Sequence, residues 1–240
     1  MSTIINNNAI TKMYKGDTPI YSFSINSGGG TPTKIDVAAT GIRLAYSTFT
    51  EIPDIFDFSN ITNMNNLFAN CSLLTTIPAD LDFSNVVDMG STFNGCSSLS
   101  ITPDELVTPN VNKMNWLFFN CNNLTKIPLL DCTSLTNATF IFGLSQNTAK
   151  TFIGGLKNLK LSITSNFLNL FPNLTVQSLN NVINYLWDWS GNTDGYAPLN
   201  NGTLYNFGTT HLLIFGQTNL DKLTAEQIAV ATAKGWTLTA

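Results

Sequence analysis

Three nonapeptides decide the fold of this chain: NMNNLFANC at residues 63–71, DMGSTFNGC at 88–96 and KMNWLFFNC at 113–121. Each begins 25 residues after the previous one, and each keeps its methionine, phenylalanine and cysteine while the residues between them change. A short unit of this kind cannot bury its own apolar face, so it has to stack against copies of itself. The spacing therefore predicts a repeat protein.

Other positions recur with the same period and define columns of equivalent residues. The columns are Met64/Met89/Met114, Phe68/Phe93/Phe118, Cys71/Cys96/Cys121, Leu74/Leu99/Leu124, Asn60/Asn85/Asn110 and Pro53/Pro78/Pro103/Pro128. A fourth copy fits after the loss of one residue, with Ala138 at the Met114 position and Phe142 at the Phe118 position. If each copy is one coil, equivalent side chains lie directly above one another at the strand spacing of about 4.8 Å.

Each coil is expected to hold two strand segments and one turn. The strands are predicted at residues 74–77, where Pro78 removes a backbone donor, and at residues 85–89. Phe93 to Cys96 is predicted to form a tight turn or a short helical turn.

The composition restricts the classes of function. Charged residues are 11% of the chain, against about 25% in an ordinary soluble domain, and 31 asparagines supply much of the polarity. The net charge is −4 with no cluster of Lys and Arg, which predicts no nucleic-acid partner. No apolar run approaches the roughly 20 residues that cross a bilayer, and the first residues lack the pattern of a secretory signal, so we expect no membrane partner and synthesis in a cytoplasm.

The pattern FSNxxxM…F…GCSSL over residues 42–145 resembles the BspA-like leucine-rich repeats, including the short repeats of mycoplasma and gut-bacterial surface proteins. This resemblance implies a right-handed solenoid of parallel sheets that serves binding and adhesion, and it brings no shared catalytic residues. The fold class expected is α+β: a leucine-rich-repeat-like parallel β solenoid of about 25 residues per coil, with a small N-terminal β module and an α/β C-terminal cap.

The C-terminal part is predicted to cover one end of the stack. Residues 175–187 have the apolar spacing of an amphipathic helix, and residues 224–234 begin with Thr224 and Gln227 in the pattern of a capping box. Residues 211–215 and 236–239 are predicted strands. We therefore divide the chain into an attachment module with a Gly-rich linker (1–30), the repeat solenoid (31–174) and the cap (175–240).

The N-terminal module is predicted to be a β-hairpin around Gly16 and Asp17. Its phrase KMYKGDTPIY resembles short N-terminal modules of phage tail and fibre proteins, and the C-terminal phrase TNLDKLTAEQIAVATAKGWTL resembles the tails of repeat proteins from gut Bacteroidetes and their phages. The first resemblance implies that the hairpin anchors or oligomerises the chain, through Met13, Tyr14, Ile20 and Tyr21.

The residues that could carry chemistry have structural explanations that we favour. Cys71, Cys96 and Cys121 are 25 residues apart, which is not a zinc pattern, and we expect them and Cys132 to act as small buried hydrophobes. His211 is the only histidine and has no nucleophile motif to serve. The recurring Asp57, Asp82 and Asp131 are expected to lie solvated beside a turn, so we predict no catalytic residue, no metal and no cofactor.

Two other polar groups suggest ligands but are also expected to be structural. The column of Asn60, Asn85 and Asn110 can hydrogen-bond along a coil edge. The oxygen-rich loop at 188–195 lacks the glycine and the closing glutamate of a calcium-binding loop.

Aromatic residues that interrupt polar columns are the better candidates for binding. Trp116 and Phe119 stand where other copies have Asn or Ser and Ala or Asn, although the C-terminal segments could instead cover Trp116. Trp187, Trp189 and Tyr196 surround the Gly-rich loop at 190–202. Such residues anchor interfaces or stack on sugars. We therefore predict Trp116, Phe119, Trp187 and Trp189 as binding residues.

Together these features favour a non-enzymatic phage virion protein, a fibre or decoration protein whose solenoid attaches to the host. Its expected partners are other virion proteins and a host surface protein or glycan, with three copies of the chain as the expected oligomer. The alternative is a bacterial cell-surface adhesin of the same repeat family.

Overall fold

The computed structural model describes most of the repeat region and parts of both flanks. The described residues are 5–6, 9–10, 13–15, 18–21, 35–40, 44–54, 56–141, 152–160, 173–192, 196–198, 204–206, 211–214 and 217–240.

Short strands and four helices make up the regular structure. The helices are α1 (Val37–Thr40), α2 (Val176–Tyr185), α3 (Gln217–Leu220) and α4 (Ala225–Ala233). The strands are β1 (Ile5–Asn6), β2 (Ala9–Ile10), β3 (Met13–Lys15), β4 (Thr18–Tyr21), β5 (Ile35–Asp36), β6 (Phe56–Asp57), β7 (Glu105–Leu106), β8 (Lys126–Asp131), β9 (Phe152–Lys157), β10 (Tyr196–Pro198), β11 (Leu204–Asn206), β12 (Leu212–Ile214) and β13 (Thr237–Thr239).

Successive copies of the repeat are joined by parallel backbone hydrogen bonds. The N–H of Met64 donates to Asp88 O at 2.8 Å. The N–H of Met89 donates to Lys113 O, and that of Met114 donates to Asn137 O, both at 2.9 Å. The residue paired with Lys113 is Asn137, so the last step is one residue shorter than the others. The predicted loss of one residue in the fourth copy is therefore confirmed.

The strands predicted at 74–77 and 85–89 are shorter than expected. In the described residues they are isolated parallel bridges, at Thr76 between Glu51 and Ile101, and at Asp88 between Asn63 and Lys113. Turns on both sides bend the backbone away before a second pair can form. In the described part of the repeat region, longer parallel pairing occurs between β5 and β6 and in the three-stranded sheet β7–β8–β9, so a continuous solenoid stays a prediction.

The equivalent apolar side chains stack in the interior. The Met, Phe, Cys and Leu columns are all at most 1% exposed. The rings of Phe68 and Phe93 are parallel with centroids 5.4 Å apart, and those of Phe93 and Phe118 are 5.8 Å apart with an interplanar angle of 9°. Each ring fills the space above its counterpart, so a change in the length of one copy would displace every ladder.

The cysteine column has a polar role besides its packing. The thiols of Cys71, Cys96 and Cys121 donate to carbonyls of the preceding copy, at 3.1, 3.2 and 3.1 Å. All four cysteines are free and buried. The hydrogen bond from the neighbouring Cys71 and burial hold the pKa of the Cys96 thiol far above its usual value. The thiols are buried, as the sequence predicts.

The two predicted C-terminal helices are confirmed, with their caps. Thr175 accepts the N–H of Ser178 at the start of α2, and Thr224 and Gln227 form the capping box of α4. The Lys234 ammonium donates to three carbonyls at the C-terminal end of α2, of which the shortest contact is 2.7 Å, to Asn184 O. This lysine ties α4 to α2 by capping a helix end that carries partial negative charge.

At the N-terminus, β3 and β4 pair antiparallel, and these are the two segments that the sequence analysis places in a hairpin. The structure describes their backbone, and Met13, Tyr14, Ile20 and Tyr21 lie within them. The side chains of these four residues lie outside the described part, so their role in anchoring stays a prediction.

Candidate binding face

The aspartate column caps turns. Asp57, Asp82 and Asp131 each accept the backbone N–H two residues further on, at 2.9, 2.8 and 3.0 Å. For Asp82 this hydrogen bond from Ser84 lowers the pKa of the carboxyl. These carboxylates repeat a local turn motif, which agrees with the expected position beside a turn. The expectation that they are solvated is wrong for Asp131, which is 7% exposed.

The asparagine column connects copies. Asn85 Nδ2 donates to Ser59 O and Asn110 Nδ2 to Ser84 O, both at 2.7 Å, and Ser134 Oγ makes the equivalent bond to Pro109 O. The bonds reach backbone carbonyls of the preceding copy. This column therefore stabilises the stack.

Within the described residues no group of three or more His, Cys, Asp and Glu side chains could hold a metal ion. Part of the predicted loop at 188–195 lies outside the described residues. Its first aspartate, Asp188, accepts the N–H of Ser190 in a turn, and the hydroxyl and N–H of Ser190 lower the pKa of its carboxyl.

The turns of the repeat form one continuous face, which we call the turn face. It consists of residues 63–70 and their equivalents 88–95, 113–120 and 137–140, together with Tyr46. Two columns on this face have positive φ: Asn66, Ser91, Trp116 and Phe140 at 58°, 54°, 57° and 54°, and Tyr46, Asn70, Gly95 and Asn120 at 62°, 59°, 76° and 57°. Asparagine and glycine adopt this conformation most easily, which explains their frequency here.

Trp116 lies on the turn face and is 44% exposed, and Phe119 beside it is half-buried. Trp116 therefore points outward, as the sequence predicts. Its φ of 57° is unfavourable for a bulky residue, at a position where other copies have Asn66 and Ser91.

The structure separates the other two predicted aromatics from this face. Trp187 is half-buried, and the Lys160 ammonium lies 4.4 Å from its ring centroid. Burial lowers the pKa of Lys160 to about 8, and the nearby Asp131 carboxylate opposes that shift. One face of Trp187 is thus already occupied by a cation.

The prediction of an exposed binding residue is wrong for Trp189, which is 3% exposed. Its ring stacks on His211 with centroids 3.9 Å apart, and a Cβ added to Gly235 would lie 2.9 Å from the Trp189 Cβ. His211, immediately before β12, and Gly235, after α4, therefore cover Trp189. His211 has the structural role expected of it, as part of this aromatic cluster with Trp236.

A cleft of about 700 Å³ opens on the turn face at its N-terminal end. Its polar lining is Tyr46, Asn63, Asn65, Asn66, Asn70 and Asp88, and its apolar lining is Val37, Ala38, Ala45, Ile61, Leu67 and Ala69. Tyr46 is 65% exposed at its rim. A volume of this size suits a small-molecule site with a few converging polar groups.

Sequence reasoning missed this cleft. Stepping back 25 residues from Asn70 reaches Ala45, whereas the backbone places Tyr46 in the column of Asn70, Gly95 and Asn120, because this step is one residue shorter than the others. The cleft itself has no sequence signal, because its lining comes from separate segments of the chain, at 37–46, at 61–70 and at Asp88.

Comparison with known proteins gives one match. Residues 42–154 match the family model described as "Mycoplasma protein of unknown function, DUF285". This is slightly less than half of the chain, and it covers the region in which the sequence resembles BspA-like repeats. Neither a curated protein nor a solved structure matches the chain. Among the described residues, no helix is long and apolar enough to cross a membrane.

Proposed function

We propose that this chain is a non-enzymatic binding protein and that the turn face of its repeat solenoid holds the binding surface. The observation that carries the proposal is Trp116. Holding a residue other than glycine in the left-handed region costs roughly 1–2 kcal/mol, and asparagine visits that region more readily. The equivalent residues in the other copies are Asn66, Ser91 and Phe140. Backbone strain of this kind concentrates at functional sites.

The surroundings of Trp116 support the same proposal. Phe119 and Phe140 are half-buried on the same face, and Phe140 holds the equivalent position in the next copy. An exposed tryptophan with further aromatic residues beside it is typical of the centre of an interface.

In its more specific form, the proposal is a phage virion fibre or decoration protein. Residues 1–30 would anchor or oligomerise the chain, and the solenoid would bind the host surface. The low proportion of charged residues and the KMYKGDTPIY phrase support this form. A bacterial surface adhesin is the alternative, favoured by the match to a family model described from a cellular bacterium.

Binding is tested with labelled full-length protein on intact cells of candidate host bacteria. Trp116→Asn places the Asn66 residue type at this position and should reduce binding about tenfold or more. The matched control is Ile101→Asn, since Ile101 is 61% exposed but lies in the bridge column away from the turn face. Equal binding by the two variants would reject the turn face as the binding surface.

Location and oligomer are tested separately. In a virion protein, the chain should sediment with DNA-containing particles of the source culture, and light scattering should give three times the 26.2 kDa chain mass. Recovery of the chain with the cell envelopes would instead support the adhesin alternative.

A further inference from the structure

Trp116 stands beside a level of the turn face that has almost no side chains of its own. The second copy carries Gly90 and Ser91 where the third copy has Asn115 and Trp116. Gly90 is buried and Ser91 is only 5% exposed, although both lie in a surface turn. Longer side chains from the adjoining copies therefore extend across this level, which is one coil or about 4.8 Å wide.

Asparagine side chains cover Gly90 from both sides. Asn65 Nδ2 and Asn115 Oδ1 lie 2.6 and 3.2 Å from the position that a Cβ on Gly90 would take, so a side chain there would displace the amides. Asn65 Nδ2 is also 3.5 Å from Asp88 Oδ1. These contacts restrict the amides before a ligand arrives, and a group that is already oriented loses less conformational entropy on binding.

The indole of Trp116 provides a flat apolar surface at the same level. Ser91 lies between Asn66 and Trp116 in one column of positive φ, so the side chains of these two residues cover it. Trp116 is 44% exposed, which means that part of its side chain packs on the turn face while part remains open to solvent. The open part offers the electron-rich face of an aromatic ring.

Around this ring the turn face offers amides rather than apolar groups. Among the residues of the turn face, the only exposed large apolar side chains are Trp116 and Tyr46. The exposed asparagines of this face are Asn63, Asn65, Asn66, Asn70, Asn120 and Asn137. The only charged residues that belong to it, Asp88 and Lys113, pair with each other at 3.4 Å.

A sugar ring matches this combination of one aromatic surface and many amides. One face of a pyranose ring presents C–H bonds, whose small positive charges suit the face of an indole. Its hydroxyls lie around the rim, where each can donate to an amide oxygen and accept from an amide N–H. A protein partner would need a wider apolar centre, whereas the aromatic neighbours of this indole, Phe119 and Phe140, are already half-buried.

We propose that Trp116 is the stacking platform of an oligosaccharide site on the turn face. A sugar ring packs its C–H face on the exposed indole, and its hydroxyls bond the side chains beside it, first of all the amide of Asn115. The sugar chain extends along the stack, over the exposed amides of other copies. This proposal rests on the binding function proposed above and names the ligand class of the same surface.

The repeat itself supplies variants that should keep the fold. Trp116→Asn introduces the residue type of Asn66 at a positive φ and removes the ring, whereas Trp116→Phe introduces the type of Phe140 and keeps a ring. The matched control is Tyr185→Asn, because Tyr185 is an aromatic residue of similar exposure, 41%, that lies in α2 of the cap. Urea unfolding of each variant identifies any loss of stability.

The first experiment is a glycan array of gluco-, galacto-, manno-, xylo- and N-acetylglucosamine oligosaccharides with sialylated and sulfated counterparts, probed with the labelled full chain. We expect at least one probe to bind. Its affinity should fall about tenfold or more in Trp116→Asn, fall less in Trp116→Phe and stay unchanged in Tyr185→Asn. The proposal is overturned if no probe binds, or if Trp116→Asn binds as well as the native chain.

Tryptophan fluorescence then tests whether the sugar lies on this indole. Trp189 and Trp236 are 3% and 1% exposed, and the Lys160 ammonium occupies one face of Trp187, so a sugar on the turn face should change mainly the emission of Trp116. The oligosaccharide bound on the array should shift the emission of the native chain to shorter wavelength and leave that of Trp116→Phe unshifted. No shift in the native chain, or an equal shift in both chains, would place the sugar elsewhere and overturn the site.

The two proposals fail separately. Loss of cell binding in Trp116→Asn with no sugar bound on the array rejects the oligosaccharide and keeps the turn face as the binding surface. Sugar binding that needs Trp116, together with cell binding that does not, rejects the turn face as the surface that attaches to cells and keeps the sugar site.

Discussion

Replacing Phe93 by leucine tests whether the phenylalanine ladder stabilises the stack beyond ordinary burial. Phe93 is fully buried, and its ring lies parallel to Phe68 on one side and Phe118 on the other. An aromatic pair contributes about 0.5–1.5 kcal/mol beyond the area it buries, so two lost pairs cost about 1–3 kcal/mol. The smaller side chain adds about 1 kcal/mol for imperfect repacking. We expect Phe93→Leu to lower the free energy of unfolding by about 2–4 kcal/mol.

The matched control is Phe83→Leu in the same copy. Phe83 is 3% exposed but has no ring contact with another described residue, so its replacement should cost only the repacking share of about 1 kcal/mol. Urea unfolding followed by far-UV circular dichroism measures both variants, and equal m values show that the same structure unfolds in each. If Phe93→Leu costs no more than Phe83→Leu, the parallel rings contribute nothing specific and the reasoning about ladders fails.

Three further predictions concern the thiols, the cap and pH. The four buried thiols should resist a disulfide reagent in the folded chain and react together on unfolding, whereas rapid reaction of one thiol in the folded chain would contradict their inert role. Lys234→Ala should lower the free energy of unfolding by about 1–2 kcal/mol, because it leaves the α2 carbonyls uncapped. Lys126→Ala, which breaks an exposed ion pair, should change the free energy of unfolding in urea little. Equal effects of the two variants would refute the role of Lys234 as a cap. Burial lowers the pKa of His211, so below pH about 6.5 the unfolded chain takes up a proton that the folded chain binds less readily. Stability should therefore fall as pH drops from about 6.5 toward 5.5, and His211→Gln should remove this slope; an unchanged slope in thermal unfolding would refute the assignment.

Much of the repeat could be read from the sequence because its signals are local or periodic. The Met, Phe, Cys and Leu columns are buried as their spacing predicts, and the missing residue in the fourth copy appears in the register of Lys113 with Asn137. The helices α2 and α4 also follow from local rules, since capping residues and apolar spacing act within a few residues of the chain.

The predicted site was recovered only in part, and the reason is contact between distant segments. Trp116 is exposed as predicted, because its column is Asn66 and Ser91 in the two preceding copies and lies on the turn face. Trp189 looked similar in sequence, but the strand at His211 and the segment at Gly235 cover it. Neighbouring residues do not reveal which later segment will pack on an aromatic side chain.

By itself the sequence determined the period and the buried columns, because identical apolar side chains at a fixed spacing are buried by stacking on one another. It also determined the helix caps, because capping residues act within a few residues of the chain. Only the tertiary structure decided what lies at the end of the stack. There the Tyr46 N–H pairs with Ala69 O, and Tyr46 lies with Asn63, Asn70 and Asp88 around one cleft. These residues come from three separate segments of the chain, so no local pattern of the sequence records that they meet.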